Sequence, residues 1–387
     1  MKIYLDNAAT THPKPPEVYS AVLNYMMNIG SNPGRGGSSC SLEGSRIVYK
    51  TREALMKFFS FDKPENVIFT SNITTSLNIL IKSIVKPGWH VITTSMDHNS
   101  VLRPLSSLEK NRIIELDVLP CSKEGVLDIE LFKKSIKSNT KLVVLSHASN
   151  IVGSIQPIEQ IGEICKANNV YFIIDTAQTA GVIPLDFYKL NCSALAFTGH
   201  KGLLAPQGIG GFLISDELNN ESVPFLEGGT GSLSESVLQP DFLPDKFESG
   251  TMNTPGIAGL LEGLNYINKV GISSIREHEE YLTNKFIEGL LNINSIILYG
   301  NKNSKEMTST ISINSTRINN AELGYILDSD YGIATRTGLH CAPLAHKTIE
   351  TFPQGTLRFS FGPFNDLKDV DYTLLSLHKI IERMCNI

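Results

Sequence analysis

Between residues 60 and 215 the apolar positions alternate between two spacings. Short runs rich in β-branched and aromatic residues appear as NVIFT (66–70), HVITT (90–94), RIIELDVL (112–119), KLVVLS (141–146), VYFIID (170–175) and ALAFT (194–198). Longer stretches separate most of them. TSLNILIKSIV (75–85) and IEQIGEICKANN (158–169) put apolar residues at helical intervals. Strands that are apolar almost throughout are covered on both faces, so this alternation predicts a mainly parallel sheet between layers of helices. Such sheets bind ligands beyond the carboxyl ends of their strands. The residues just after each run are therefore where chemistry is expected.

The pattern changes at 216–256, where GGTGS (228–232), several prolines and ESGTMNTP read as a long loop region. From residue 256 it turns helical (IAGLLEGLNYINKVG) and continues in shorter α and β pieces. An α/β architecture is expected, with a large unit over 15–255 and a smaller α+β unit formed by 1–14 and 256–387. Composition agrees: 387 residues, 41% hydrophobic and 19% charged, exclude disorder, collagen-like repeats and a small disulfide scaffold. With 34 Lys+Arg against 39 Asp+Glu the net charge is −5. Neither nucleic acid nor an anionic membrane is an expected partner. The six cysteines show no C-x-x-C pair and no zinc-like spacing, so a reducing compartment and no metal are expected. MKIYLDNAATTHPKPP turns polar at Asp6, unlike a signal peptide, and no apolar run is long enough for a membrane span, which predicts a cytoplasmic protein.

The strand ends hold Ser71-Asn72-Ile73-Thr74, Asp97-His98-Asn99, His147 to Asn150, Asp175-Thr176-Ala177-Gln178 and Thr198-Gly199-His200-Lys201. Singly these are ordinary: a solvated lysine, an aspartate or threonine capping a helix. Together they meet the needs of pyridoxal 5′-phosphate, which takes an amine for a Schiff base, a carboxylate facing its ring nitrogen and a phosphate cradle. Lys201 offers the amine and Asp175 the carboxylate. A helix opening at Asn72-Ile73-Thr74 offers N–H groups and a hydroxyl to the phosphate. Thr198 and His200 could complete the cradle, and His98 could stack on the ring. Nucleotide motifs are missing: there is no G-x-x-x-x-G-K-[ST], and the glycines of PQGIGG (206–211) come too late for a dinucleotide fingerprint.

YLDNAATTHPKPPEV at the start, NPGRGG (32–37), FTSNITTSLN (69–78), SHASNIVGSIQP (146–157), IIDTAQTAG (173–181), FTGHKGLLAPQGIGG (197–211), FESGTMNTPG (247–256) and RTGLHCAPLAHK (336–347) span essentially the whole chain. With them the sequence resembles the class V aminotransferase family of fold-type I pyridoxal-phosphate enzymes, and within it the cysteine desulfurases and selenocysteine lyases. The resemblance implies that Lys201 carries the cofactor, Asp175 pairs with its ring nitrogen and Gln178 bonds its phenolic oxygen. It implies that His98 stacks on the ring and that Ile73, Thr74, Thr198 and His200 hold the phosphate. Gly250 and Thr251 resemble the segment a neighbouring subunit contributes to that phosphate, so a homodimer is expected. Asn150, Arg336, Arg358 and Ala8 match positions about the amino-acid substrate, with Arg358 on its carboxylate.

Cys341 is implied as the sulfur-accepting nucleophile, beside Arg336 and His340, where nearby cationic or donor groups favour thiolate. Cys165, on an amphipathic stretch, and Cys385, at the C-terminus, also have basic sequence neighbours. The sequence departs from the commoner family pattern at Ser38 and Leu339, where His is often found, and at Thr176, where Gly is frequent. The implied activity is conversion of L-cysteine to L-alanine with the sulfur held on Cys341 as a persulfide for an acceptor protein. Selenocysteine as substrate, or aminotransferase or β-lyase chemistry with Cys341 idle, are the alternatives.

Overall fold

A computed structural model describes residues 2–34 and 37–385, the side chain of Cys385 excepted. Arg35 and Gly36 of the NPGRGG motif lie outside the described residues. The strands are β1 (Ile3–Tyr4), β2 (Val67–Thr70), β3 (Trp89–Thr94), β4 (Ile114–Leu119), β5 (Thr140–Ser146), β6 (Tyr171–Asp175), β7 (Ala194–Thr198), β8 (Gly210–Ile214), β9 (Ile296–Tyr299), β10 (Thr310–Ser315), β11 (Ile333–Ala334), β12 (Arg336–Gly338) and β13 (Thr356–Ser360). The α-helices are α1 (Pro16–Asn24), α2 (Ser39–Phe58), α3 (Ile73–Ile84), α4 (Asn99–Lys110), α5 (Ile129–Ser135), α6 (Ile158–Ala167), α7 (Asp216–Glu221), α8 (Thr254–Val270), α9 (Ile272–Leu290), α10 (Asn320–Tyr331), α11 (Pro343–Thr348) and α12 (Leu367–Cys385).

The main sheet has the order β2-β8-β7-β6-β5-β3-β4. Only β8 runs against its neighbours; the other ladders are parallel. All six expected runs are strands, and the helices between them lie where the period predicts. β8 is not among the expected runs, because GGFLI opens on two glycines, which are poor strand formers. Its glycines serve close packing: a Cβ on Gly211 would lie 2.3 Å from Ile68 O and 2.6 Å from the Phe197 ring.

Side chains along the strands alternate between two apolar clusters. Val143, Leu145, Phe172 and Ile174 enter one, with Leu55, Phe59 and Leu264. Leu142, Val144 and Ile173 enter the other, with Leu77, Leu80 and Leu105. That period of two confirms burial on both faces. A second, antiparallel sheet, β12-β13-β10-β9, packs its own cluster, including Phe286, Phe359 and Leu377, under α9 and α12. Residues 222–253 hold no helix or strand, as expected, but α7 occupies the start of the segment that reads as loop. No helix among the described residues is long and apolar enough to cross a membrane.

The N-terminal segment joins the two sheets. β1 pairs in parallel with β11. Ser360 N–H donates to Leu5 O at 2.8 Å and Ala8 N–H to Ser360 Oγ at 2.8 Å. A few residues later Thr11 N–H donates to His200 O at 3.0 Å. One strand-like segment thus ties β13 to the turn that follows β7.

Candidate active site

β6 ends at Asp175 and β7 at Thr198, and the turn after β7 carries Lys201. Asp175 is fully buried within the ladder, with Ala177 N–H donating to its Oδ1 at 2.9 Å. Burial raises its carboxyl to about 6, and Lys201 pulls it back. Burial lowers Lys201 to about 8, opposed by Asp175. The two residues are therefore buried within each other's field, and the lysine is held near the point where a free amine is available at neutral pH. Thr176, in place of the family's frequent glycine, donates from Oγ1 to Ala196 O at 2.7 Å and pins the Asp175 turn to β7.

Flanking the lysine, Thr198 Oγ1 and His200 Nδ1 are buried without a hydrogen-bond partner among the described residues. Burial, with Lys201 and Lys14 nearby, lowers His200 to about 4. Three donors converge on His200 O: Thr11 N–H, Thr10 Oγ1 at 3.1 Å and Lys14 Nζ at 2.6 Å. Lys14, which the sequence reading passed over, is pushed down to about 8 by burial. Its setting between prolines in THPKPP, directly after a chemistry-bearing motif, was the available signal.

His98 caps α4. Ser100 N–H donates to its Nδ1 at 3.1 Å, so that nitrogen is an acceptor and the neutral ring carries its proton on Nε2. Burial, then the charge of Lys201, lowers His98 to about 4, so the ring is neutral at pH 7. Next to it, buried Asp97 accepts from Thr93 Oγ1, Thr94 N–H and Ser146 N–H, which fixes the ends of β3 and β5 together. At the entry to α3, Asn72 Oδ1 accepts from Thr75 N–H at 3.0 Å, leaving Ile73 and Thr74 N–H directed ahead of the helix.

Arg358, on β13, is 2% exposed. Its NH2 group donates to Asp6 Oδ1 at 2.7 Å and its NH1 group to Asn150 O at 2.9 Å, while Nε is buried without a partner among the described residues. Asp6 was not foreseen as its counter-ion. Arg336 is exposed directly opposite Arg358 in the β12–β13 ladder. Asn150 Nδ2 donates at 2.8 Å to His340 O. His340 and Cys341 both have left-handed backbones, φ 46 and 59, a conformation that costs about 1–2 kcal/mol per non-glycine residue. His340 is buried, with Nε2 donating to Thr356 O, whereas Cys341 is the exposed cysteine among those described. Asn99 N–H donates to Cys341 O at 2.8 Å, so the cysteine turn is tied to the residue after His98.

Of the remaining expected residues, Gln178 donates from Nε2 to Ala8 O at 3.3 Å, and both line a small cavity of about 30 Å³ with Lys201 and buried Glu279. Ile73 is buried and Thr74 exposed at the start of α3. Gly250 and Thr251 lie exposed; Thr251 borders a cavity shared with Thr70, Ser71 and Thr75, and no described bond links either to the Lys201 turn. Cys165 is buried in α6, and the Cys385 side chain lies outside the described residues. Ser38 caps α2, accepting from Ser41 N–H. Leu339 O accepts from Ala342 N–H, closing the cysteine turn. Away from these residues, His90, Glu115 and Asp117 cluster on β3 and β4, where the Lys137 ammonium already bridges the two carboxylates at 2.6 and 2.9 Å.

A doubly covered, mainly parallel sheet that presents a buried carboxylate with a half-buried lysine and histidine at its carboxyl edge is the framework of the class V aminotransferases. The profile of that family, aminotransferase class V, matches residues 3–373, and the chain belongs to it. Among curated relatives it is similar to a probable cysteine desulfurase of Borreliella burgdorferi, 32% identical over 99% of this chain and 92% of that one. It is also similar to a probable cysteine desulfurase of Pyrococcus abyssi, 33% identical over 99% and 95%. Among solved structures, the apo cysteine desulfurase of Thermococcus onnurineus superposes with a TM-score of 0.93 at 32% identity, covering 98% of this chain and 95% of that one.

Proposed function

We propose that the protein is a pyridoxal 5′-phosphate-dependent cysteine desulfurase that converts L-cysteine to L-alanine and takes the sulfur onto Cys341. The observation that supports this most is the bond from Asn99 N–H to Cys341 O. It ties an exposed thiol to the residue beside His98, whose ring feels Lys201, Arg336 and Arg358.

The cofactor fits the groups present. Thr198 Oγ1 and His200 Nδ1, buried and unpartnered, with the N–H groups of Ile73 and Thr74, would hold its phosphate. Asp175 would face the ring nitrogen, Gln178 the phenolic oxygen and His98 one ring face, with Lys201 as the attachment point. When bound, the cofactor supplies an electron sink for bonds at the substrate's α-carbon.

The chain's own groups do the rest. Arg358 receives the substrate carboxylate on donors that Asp6 and Asn150 leave free, with Arg336 and Ala8 bordering the substrate. The Lys201 amine, kept near neutral pKa by burial, takes the proton from the substrate Cα and returns protons to the carbon skeleton. His98 presents Nε2–H toward the substrate sulfur. The Cys341 thiolate attacks that sulfur; an S–S bond forms as the Cβ–S bond breaks, and the electron pair stays with the carbon skeleton, which leaves as alanine. The persulfide then passes to an acceptor protein.

The same reading includes a cytoplasmic homodimer in which Gly250 and Thr251 reach the partner's phosphate site. Exposed Tyr19, Leu23, Met26 and Met27 near α1, with Val237 and Leu238 on the 222–253 segment, support such an interface. It also includes a division of the chain into 15–255 and 1–14 with 256–387, although α8 buries Ile257, Leu260, Leu264 and Ile267 in the main-sheet cluster.

Purified holoenzyme given L-cysteine and a thiol reductant should release equimolar alanine and sulfide. Cys341→Ser should release no sulfide while keeping the absorbance of the bound cofactor. Full-rate sulfide release by that variant would refute the nucleophile assignment.

A further inference from the structure

We infer that Lys14 is a positioning residue for Lys201: its ammonium clamps the main-chain carbonyl that immediately precedes the cofactor-bearing lysine. This rests on the proposed attachment of pyridoxal 5′-phosphate to Lys201, and it gives the N-terminal segment a part in the site.

The turn after β7 closes on itself except at one carbonyl. Gly199 O accepts from Ala205 N–H at 2.8 Å and Lys201 O from Leu204 N–H at 2.9 Å. His200 O is left to another part of the chain, where Thr11 N–H, Thr10 Oγ1 and Lys14 Nζ all donate to it, the last at 2.6 Å. A carbonyl oxygen has two lone pairs, and the two threonine donors are enough to fill them. Lys14 is therefore surplus to hydrogen-bond satisfaction. It is also costly, because an ammonium drawn partly out of water needs compensation. Burial is what moves its pKa, and among the described residues no carboxylate pairs with it.

The main chain keeps this side chain on target. Pro13 and Pro15 flank Lys14 and restrict its backbone, and Lys14 N–H donates to Tyr19 Oη at 3.0 Å. On its outer side the residue borders a groove of about 530 Å³, with Val22, Met26 and Pro206. The ammonium is nevertheless spent on a main-chain oxygen. A charged donor makes a stronger bond than a neutral one, and the peptide it fixes leads directly into the Cα of Lys201.

A lysine that merely supports the fold should leave a weaker protein when it is removed. A surplus, half-buried ammonium should leave the fold at least as stable and misplace Lys201. In the full chain freed of cofactor, Lys14→Met keeps most of the stem and deletes the donor. Its urea midpoint should be no lower than that of wild type. Covalent attachment of pyridoxal 5′-phosphate to Lys201 should slow at least about tenfold, the worth of one hydrogen bond to a charged group. The aldehyde condenses with the amine as water leaves, borohydride reduces the C=N bond, and mass spectrometry of the Lys201 peptide counts the product. Pyridoxal, which lacks the phosphate, should show the same slowing. Lys14→Arg, which keeps a charged donor, should stay within about threefold of wild type.

A further readout needs no cofactor: acetylation of Lys201 by acetic anhydride, measured on the same peptide. It should rise at least about threefold in Lys14→Met, because a released turn opens the amine to solvent, and stay at the wild-type rate in Lys14→Arg. Unchanged attachment in Lys14→Met would overturn the inference, as would slowing equally large in Lys14→Arg. A lowered urea midpoint with unchanged acetylation would make Lys14 a prop of the fold and overturn it too. Slowing confined to the phosphorylated aldehyde would do the same, since the charge would then serve the phosphate. Wild-type protein that takes up no aldehyde at Lys201 would instead defeat the proposed function, and the acetylation rates would still decide whether Lys14 holds the turn.

Discussion

The lysine and the cysteine of this protein are held by opposite means. Asp175 ends β6, fully buried, and Lys201 sits half-buried on the turn after β7, both with pKa values moved toward neutrality by the cost of leaving water. Cys341 stands on a short turn between β12 and α11, exposed, with a backbone shape maintained by hydrogen bonds from three other segments. Burial suits a group that must be tuned and never leave its place. Exposure suits one that must accept an atom from one molecule and deliver it to another. The contrast is sharpest across a single peptide bond, between buried His340 and exposed Cys341.

Removing the buried amine should break one side of this contrast and spare the other. Lys201→Ala should abolish alanine and sulfide formation, a loss of at least about 1000-fold for a proton-transferring group, with loss of the cofactor's protein-bound absorbance. Cys341 should still be alkylated at the wild-type rate. A parallel loss of thiol reactivity would mean that the two halves are not separately supported.

Acid should reveal how much buried base the fold carries. Burial holds His98, His200 and His346 near 4 and His147 and His340 lower still, against 6.5 in an unfolded chain. Depressed pKa values of this kind contribute stability that is complete above pH 6.5 and lost as pH falls from there toward 4. Asp175 and Glu279, raised to about 6 and about 7, act in the opposite sense: their contribution is complete below about pH 4 and lost as pH rises through 6 to 7. Near pH 5 the protons these histidines take up on unfolding outnumber those that Asp175 and Glu279 release, so stability falls as pH falls. The urea midpoint of the apoprotein should therefore drop steeply between pH 6.5 and 5. A flat midpoint would show these histidines to be solvated.

The smallest effect concerns the proposed phosphate end. Asn72→Ala removes the cap of α3 and should cost about 1 kcal/mol in urea unfolding, with weaker cofactor retention and unchanged Cys341 alkylation. Retention equal to wild type would separate the cap from the cradle.

The parallel strands were legible in the sequence because a strand buried on both faces leaves an uninterrupted apolar run. β8 was not, since its glycines answer to neighbours distant in sequence, Ile68 and Phe197. Lys201, Asp175 and His98 could be picked out because they follow strand ends. The counter-ion of Arg358 could not, because Asp6 reaches it from the far end of the chain and no local spacing records that contact. Lys14 was obscured for a similar reason: its partner is a main-chain carbonyl, which carries no residue identity. The anchorage of Cys341 depends likewise on carbonyl and amide groups, so the motif RTGLHC disclosed the thiol but not what steadies it.

The segment from Ile3 to Thr11 has one further consequence, for biosynthesis. Ala8 meets Ser360 across 352 residues of chain, and the ladder of β1 with β11 is nearly as distant in sequence. During translation the main sheet can assemble while this leading strip hangs unmatched, its edge open to other chains until almost the whole polypeptide has been made. The seam between the two sheets can thus close only late in synthesis.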